Sequence, residues 1–482
     1  MNNVVVQNPN QIKDKVRKAF LSLTARQIAL RLLGFLTLNL ILVKVLPIET
    51  LGLFNLATGI VTFFAYFSDV GFAASLIQKK EDIDDRDIRT VFTIQSILVG
   101  VLSLLIIFFA PMIGGYYKLD DAGVMLIRVL GGAFFLTSLK VLPVVKLERD
   151  LQFGPIVMVE LIEAIVFNCL LIWGVYSGWG IWSFTVAAGL RAIVGVVVIY
   201  AIAPVRLSIG FEKEVAKKLL NFGLPFQLNS LLALFKDRLV PLVVAGIIGT
   251  GGVGLVTWAQ SWALMPLEIM NIIIRISFPA FSRLQHDSEY LSKAVEKALF
   301  GATVLVYPIL FGIGGVLPWV VKYLVSSKVD LAVPIYYFFA LAYLWSVVST
   351  ILTNTLNAAG RIGITLKLMI MWTILEWALT PILTIKFGAV GVGISAFVIS
   401  FSSVVTIILV KKLLPIKVWK AIWPALISST MMGIVVFGFN FYLTTNVVWL
   451  VGSIFLGILV YLGMIFLSAG KSIIEFTRKT NA

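Results

Sequence analysis

The chain is built from apolar runs, one after another, each long enough to cross a lipid bilayer. A hydrocarbon core about 30 Å thick is spanned by a helix of about 20 residues. Fourteen segments meet that length: Phe20–Leu46, Leu51–Ile77, Val91–Ile113, Ala122–Val145, Pro155–Ser177, Ile181–Ala203, Leu219–Ile248, Val253–Ala280, Lys297–Val321, Leu331–Ala359, Ile364–Lys386, Ala389–Val410, Ala421–Leu443 and Val447–Ala469. The runs are continuous and do not alternate at period two, which argues against strand spans. Of the 482 residues 60% are hydrophobic and only 13% charged, where soluble chains are nearer a quarter charged. The expected fold is an all-α polytopic membrane protein with about fourteen transmembrane helices.

A net charge of +15 suggests nucleic acid until the charges are located. With the N-terminus placed in the cytoplasm, 27 of the 39 basic residues fall in segments on the inner side and 5 on the outer side. That bias is a topology signal. It predicts an even number of spans with both ends in the cytoplasm, and no nucleic-acid partner. One cysteine, Cys169, and one histidine, His286, exclude an intrachain disulfide and make a zinc site improbable. The polar, basic first residues and the lack of a small-residue cleavage site predict no removable signal peptide. All connections are short, so function is expected to reside in the helices themselves.

Three weak internal matches share nearly one spacing. GLFNLA from Gly52 resembles GLVTWA from Gly254, LERDLQFG ending at Gly154 resembles LNAAGRIG ending at Gly363, and GIWSFTVA from Gly180 resembles GVGISAFV from Gly391. The offsets, 202, 209 and 211, predict a duplicated six-helix unit related by an axis along the membrane normal. The expected organisation is a cytoplasmic amphipathic N-terminus (1–19), an N-lobe (20–210), a C-lobe (211–415), two further helices (416–470) and a cytoplasmic tail (471–482).

The spans carry charges. The stretch Asn221–His286 joins two apolar segments by a glycine turn, Gly249 to Gly254, and holds Lys236, Asp237, Arg238, Glu268 and Arg275. A charge at the centre of a membrane helix costs roughly 2.5–3.5 kcal/mol on insertion scales and marks a pathway or a pair. The intramembrane acids are Asp69, Glu160, Glu163, Asp237, Glu268 and Glu376; the bases are Arg26, Arg31, Arg128, Arg191, Lys236, Arg238 and Arg275. Arg191 and Glu376 lie near the midpoints of their spans. The Lys236–Arg238 triplet also reads as an ion-paired lock between helices, Arg191 as a structural pair, and Arg26, Arg128 and Arg275 as side chains snorkelling to the headgroups. Pro225, Pro241, Pro266 and Pro308 are expected to break or bend their helices. The glycines of GIIGTGGVG read as a turn, since no strand or P-loop lysine accompanies them. KKEDIDDRDIR (Lys79–Arg89) reads as a solvated inner loop. No catalytic constellation is present, and neither a metal nor a cofactor is expected.

FSDVGFAASLIQKKE (Phe67–Glu81), FFAPMIGGYY (Phe108–Tyr117), KLERDLQFGPIVMVEL (Lys146–Leu161) and FPAFSRLQHD (Phe278–Asp287) resemble the polysaccharide-transporter branch of the multidrug/oligosaccharidyl-lipid/polysaccharide (MOP) flippase superfamily. These are the Wzx-like exporters of O-antigen, colanic-acid and teichuronic-acid repeat units. Dense similarity runs from about Pro47 to Gly301. The resemblance implies a V-shaped bundle of two six-helix lobes with two helices appended. It implies a transporter that flips lipid-linked oligosaccharide, carried on polyprenyl (pyro)phosphate, to the outer leaflet for polysaccharide biosynthesis. Asp69 and Asp237 match acidic positions frequent in the family. Arg31, Arg191, Lys236, Arg238 and Arg275 are then the candidates for phosphate and sugar. Asp69, Asp237, Glu268 and Glu376 are candidates for a coupling sodium ion or proton, or for counter-charges in the empty cavity. The other implied partners are membrane lipids, a glycan polymerase and chain-length machinery.

A cation-coupled multidrug antiporter of the same superfamily is the first alternative; the basic midplane residues argue against it. A membrane glycan polymerase is the second, and the short outer loops argue against that. The charge bias makes a direct prediction. Green fluorescent protein fused after Ala482 should fluoresce, and alkaline phosphatase inserted at Gly251 should be active; the reverse pattern would invert the topology.

Overall fold

The computed structural model describes residues 33–68, 76, 84–150, 152–205, 208–217 and 239–480. Among them every regular element is a helix. Twelve helices are long and apolar enough to cross a membrane, with a shorter apolar one at Leu33–Val45. The protein is a multi-pass helical membrane protein. Numbered along the chain, the helices are α1 (Leu33–Val45), α2 (Ile48–Ala65), α3 (Asp85–Tyr117), α4 (Asp121–Ser138), α5 (Val141–Arg149), α6 (Phe153–Tyr176), α7 (Trp182–Ile202), α8 (Val240–Leu264), α9 (Glu268–Leu284), α10 (Ser288–Leu324), α11 (Ala332–Ala358), α12 (Ile362–Phe387), α13 (Ala389–Ser400), α14 (Ser403–Leu413), α15 (Val418–Leu443) and α16 (Val447–Thr480).

Local chemistry starts the helices. The charged run expected to be an inner loop ends as a capping box. The Asp84 carboxylate accepts the N–H groups of Arg86 and Asp87 at 3.0 and 2.9 Å, and Asp87 accepts the Asp84 N–H at 3.1 Å. These bonds satisfy donors at the start of α3 that have no intrahelical partner. The Asp120 and Asp287 carboxylates cap α4 and α10 by accepting backbone N–H groups, without the reciprocal bond.

The described residues form two compact units, divided between Gly251 and Gly252. In the first, α4 packs on α2, α3 and α7, and α6 packs on α7. Close approach of α3 to α4 needs small residues: a Cβ at Gly131 would lie 2.9 Å from Ile106, and the Ser103 hydroxyl donates to the Gly131 carbonyl at 2.7 Å. In the second unit, α10 packs along α11, α15 and α16, and α13 lies between α11 and α12. Tyrosine hydroxyls link these helices. Tyr336 donates to the Leu310 carbonyl at 2.7 Å, Tyr337 to Gly314 at 2.9 Å, Tyr307 to Leu344 at 2.9 Å and Tyr461 to Val304 at 2.7 Å. Each gives a polar group an acceptor where water is absent. The outward faces are apolar, as at Phe108, Phe455 and Leu467, which suits a lipid surround.

The structure corrects several span boundaries. The segment Ala122–Val145 is two helices: α4 ends at Ser138 and α5 begins at Val141. The Tyr200 hydroxyl donates to the Leu139 carbonyl at 2.8 Å, replacing the N–H donor that this carbonyl loses at the break. The segment Val253–Ala280 is interrupted by a 3-10 turn at Met265–Leu267 containing Pro266. Proline lacks the donor that would continue the helix. Pro308, in contrast, lies inside α10 without ending it. The segment Ala389–Val410 breaks between Ser400 and Ser403, where the Ser402 hydroxyl accepts from the Trp372 indole at 2.9 Å. The expected glycine turn over Gly249–Gly254 contracts to a single corner residue, Gly249, with φ 66° and ψ −178°.

Gly180 (φ 56°) and Gly388 (φ 58°) precede α7 and α13. They are 208 residues apart (388 − 180), within the spacing of the sequence matches. Beyond Gly388, α13 folds back on α12 so tightly that a Cβ at Gly391 would lie 2.1 Å from the Leu383 carbonyl oxygen. Gly391→Ala should therefore destabilise by about 2 kcal/mol or more, as overpacking against backbone does. Gly363→Ala, which meets nothing within 4 Å, should stay within about 0.5 kcal/mol of wild type. Thermal unfolding of purified protein in detergent distinguishes them.

Candidate functional site

The first unit holds a charge cluster where α4, α6 and α7 come together. The Glu163 side chain on α6 is only 5% exposed and lies between two cations. Its Oε1 accepts a hydrogen bond from the Lys140 ammonium. Its Oε2 is 3.6 Å from Nε of Arg191 on α7. The α7 backbone makes room for the carboxylate at Gly195, where a Cβ would sit 1.8 Å from Oε1. The Arg191 guanidinium also lies over the Phe167 ring, 5.7 Å from its centroid. Phe167 in turn neighbours Phe54 of α2, with centroids 6.0 Å apart, and Phe54 packs on Phe184 of α7 at 4.5 Å. Three spans therefore contribute to one Arg–aromatic–carboxylate assembly.

Arg191, expected near the middle of its span, does have the pair that one reading foresaw. Its side chain nonetheless remains 52% exposed, so pairing leaves much of the guanidinium available. Lys140, counted as a cytoplasmic loop charge, is instead drawn among the helices with only 15% exposure. The break between α4 and α5 turns it inward. The adjoining acid, Glu160, lies one turn earlier on α6. Burial first, and the Glu160 carboxylate second, hold the Glu148 carboxyl on α5 above its ordinary range.

The second unit holds two further polar groups. On α9, Glu268, Asn271 and Arg275 fall at spacings that share one face, opposite the buried Met270, Ser277 and Phe281. The Asn271 amide donates to Glu268 at 3.0 Å, and Arg275 is exposed. Around Glu376 of α12, the Tyr343 hydroxyl accepts from the Gln260 amide at 3.3 Å and lies within electrostatic reach of the Glu376 carboxylate. Tyr343 stacks on Phe339, with centroids 6.0 Å apart. Arg31, Asp69, Lys236, Asp237 and Arg238 lie outside the described residues.

Sequence reasoning singled out Arg191, Glu268, Arg275 and Glu376 but missed Lys140, Gly195, Gln260 and Tyr343. Glu163 was visible as an acid in an apolar span, though nothing in the sequence joined it to Arg191, 28 residues away. Gly195→Ala tests the cluster. It would push the buried carboxylate from its cations, and breaking such a buried pair costs about 3–5 kcal/mol. Gly189→Ala on the same helix makes only a 3.4 Å contact with Val129 and should leave the unfolding temperature nearly unchanged.

Comparison with known proteins places this architecture. The profile of a family described as "Polysaccharide biosynthesis protein" matches residues 41–334. The Lipopolysaccharide biosynthesis protein WzxC of Escherichia coli (strain K12) is 24% identical over 422 residues, covering 83% of this chain and 84% of that protein. The Teichuronic acid biosynthesis protein TuaB of Bacillus subtilis (strain 168) is 23% identical over 298 residues, 61% of each chain. Among solved structures, the Lipid II flippase MurJ in an inward closed conformation aligns with a TM-score of 0.73 at 16% identity, over 93% of this chain and 99% of that one. An inward-facing MATE family transporter of the MOP superfamily aligns at 0.57 with 17% identity, over 82% and 98%. These alignments share the helical fold. With the profile covering more than half of the sequence, the chain belongs to the polysaccharide biosynthesis protein family.

Proposed function

We propose that this protein moves a lipid-linked oligosaccharide, borne on a polyprenyl phosphate or pyrophosphate, from the cytoplasmic to the outer leaflet of the inner membrane. Membership of the family supports the substrate class. The observation that carries the reading is Arg191: a cation on a membrane helix, seated on an aromatic ring, paired on one edge and exposed on the other.

The physics matches the task. A phosphate headgroup with sugars cannot enter hydrocarbon without losing its water. A guanidinium replaces that water with charge-assisted hydrogen bonds, and neighbouring aromatic faces suit sugar rings. In this reading Arg31, Lys236, Arg238 and Arg275 supply further donors. Asp69, Asp237, Glu268 and Glu376 serve a coupling sodium ion or proton, or balance the cations when the site is empty. The Tyr343 hydroxyl, which accepts from the Gln260 amide and lies within electrostatic reach of Glu376, is a neutral oxygen that suits a small cation. The two lobes, spans 1–6 and 7–12, exchange access by rocking about a midplane site, with spans 13 and 14 appended and both termini in the cytoplasm. This gives alternating access without any covalent step. A glycan polymerase would consume the product outside.

The test is the sidedness of lipid-linked glycan in cells depleted of this protein. Polyprenyl-linked oligosaccharide should accumulate on the cytoplasmic side. Wild type should reverse this, and Arg191→Ala or Asp237→Ala at normal abundance should not. Unchanged surface glycan and no accumulation would remove the flippase reading.

A further inference from the structure

The Lys140–Glu163–Arg191 cluster contains one more positive charge than negative. The excess is unevenly placed. Lys140 is hydrogen-bonded to Glu163 and 15% exposed, whereas Arg191 stands 3.6 Å from the other carboxylate oxygen and is 52% exposed. A separation of 3.6 Å lies beyond hydrogen-bond range. Glu163 is thus hydrogen-bonded to Lys140 and joined to Arg191 only by a looser ion pair, so the less engaged cation is Arg191. Among the described residues, its terminal N–H groups meet no other carboxylate within 4.0 Å.

A guanidinium and a carboxylate left alone in a desolvated site close into a two-point fork. Lys140 and Gly195 together oppose that closure. Lys140 holds Oε1, and the missing Cβ of Gly195 lets the carboxylate sit deep against α7. We propose that Lys140 is a positioning residue for anion binding: by neutralising Glu163, it prevents that carboxylate from occupying Arg191 and keeps the guanidinium free for a phosphate or pyrophosphate group. Glu163 is then a built-in competitor, able to re-engage Arg191 as the anion leaves. This rests on the reading of Arg191 as an anion-binding residue.

The experiment is a binding cycle on the full chain in detergent, with inorganic pyrophosphate and farnesyl pyrophosphate as probes. Lys140→Met should weaken pyrophosphate binding about tenfold although Arg191 is intact, the equivalent of one lost charge-assisted contact. Glu163→Gln should bind at least as tightly as wild type. The double variant K140M/E163Q should recover to within about threefold of wild type, because neither the competitor nor the need to restrain it remains. A merely structural Lys140 predicts the opposite, a double variant no better than K140M, and that result would overturn the proposal. If K140M is not recovered folded, the charge-keeping Lys140→Arg and the double variant decide: both should bind like wild type, and weak binding in both sinks the idea. Arg191→Gln separates the two layers. Undiminished binding in that variant refutes Arg191 as an anion site altogether, whatever Lys140 does. Tighter binding of farnesyl pyrophosphate than of pyrophosphate assigns the anion to a prenyl lipid; equal binding assigns it to a free phosphate and counts against the lipid-borne substrate.

Discussion

A carboxylate buried in a membrane helix has to be neutralised within a few ångströms or not be charged at all. Glu163 meets that requirement with two cations, and its surroundings follow from it. The α4 helix ends at Ser138, ahead of Pro143, and Lys140 turns inward at that break; Tyr200 satisfies the Leu139 carbonyl that proline leaves without a donor. The α7 helix carries glycine at 195 because nothing larger leaves room for the carboxylate. The guanidinium lies over the Phe167 ring. A glycine and an aromatic ring answer one electrostatic demand, and a proline break supplies its second cation.

The same economy governs the backbone. Hydrocarbon offers no hydrogen bonds, so each interruption of a span needs an internal partner. The break in the α13–α14 segment is tied to the Trp372 indole through Ser402. In the second unit the tyrosine hydroxyls link helix to helix, while hydroxyls such as those of Thr303 and Thr353 return to carbonyls of their own helix.

Hydropathy made the spans legible, because a run of about 20 apolar residues has few other uses. The interruptions inside them were less so. Pro266 announced its turn, yet Pro308 has the same chemistry and is accommodated within α10. The stop at Ser138 does have a local signal, Pro143, which has no N–H for the Leu139 carbonyl four residues back; what the sequence hides is that the break turns Lys140 toward Glu163. Lys140 shows why charge counting reaches topology but not sites: it weighs position along the chain, whereas function depends on depth and neighbours. Arg191 and Glu376 stood out because an ionisable group in mid-span is costly wherever it lies. Lys140, which bonds the carboxylate beside Arg191, and Tyr343, within electrostatic reach of Glu376, are unremarkable residues until the helices assemble.

The tyrosine links of the second unit have a mechanical consequence. Tyr307, Tyr336 and Tyr337 join α10 to α11 in both directions, and Tyr461 adds α16 to the same pair. Sliding one of these helices along another by even a single residue would strand several hydroxyls in hydrocarbon at once. The three helices therefore behave as a stiff plate. Deformation in this unit is left to places without such pins, chiefly the 3-10 turn at Met265–Leu267, which works as a flexure between α8 and α9.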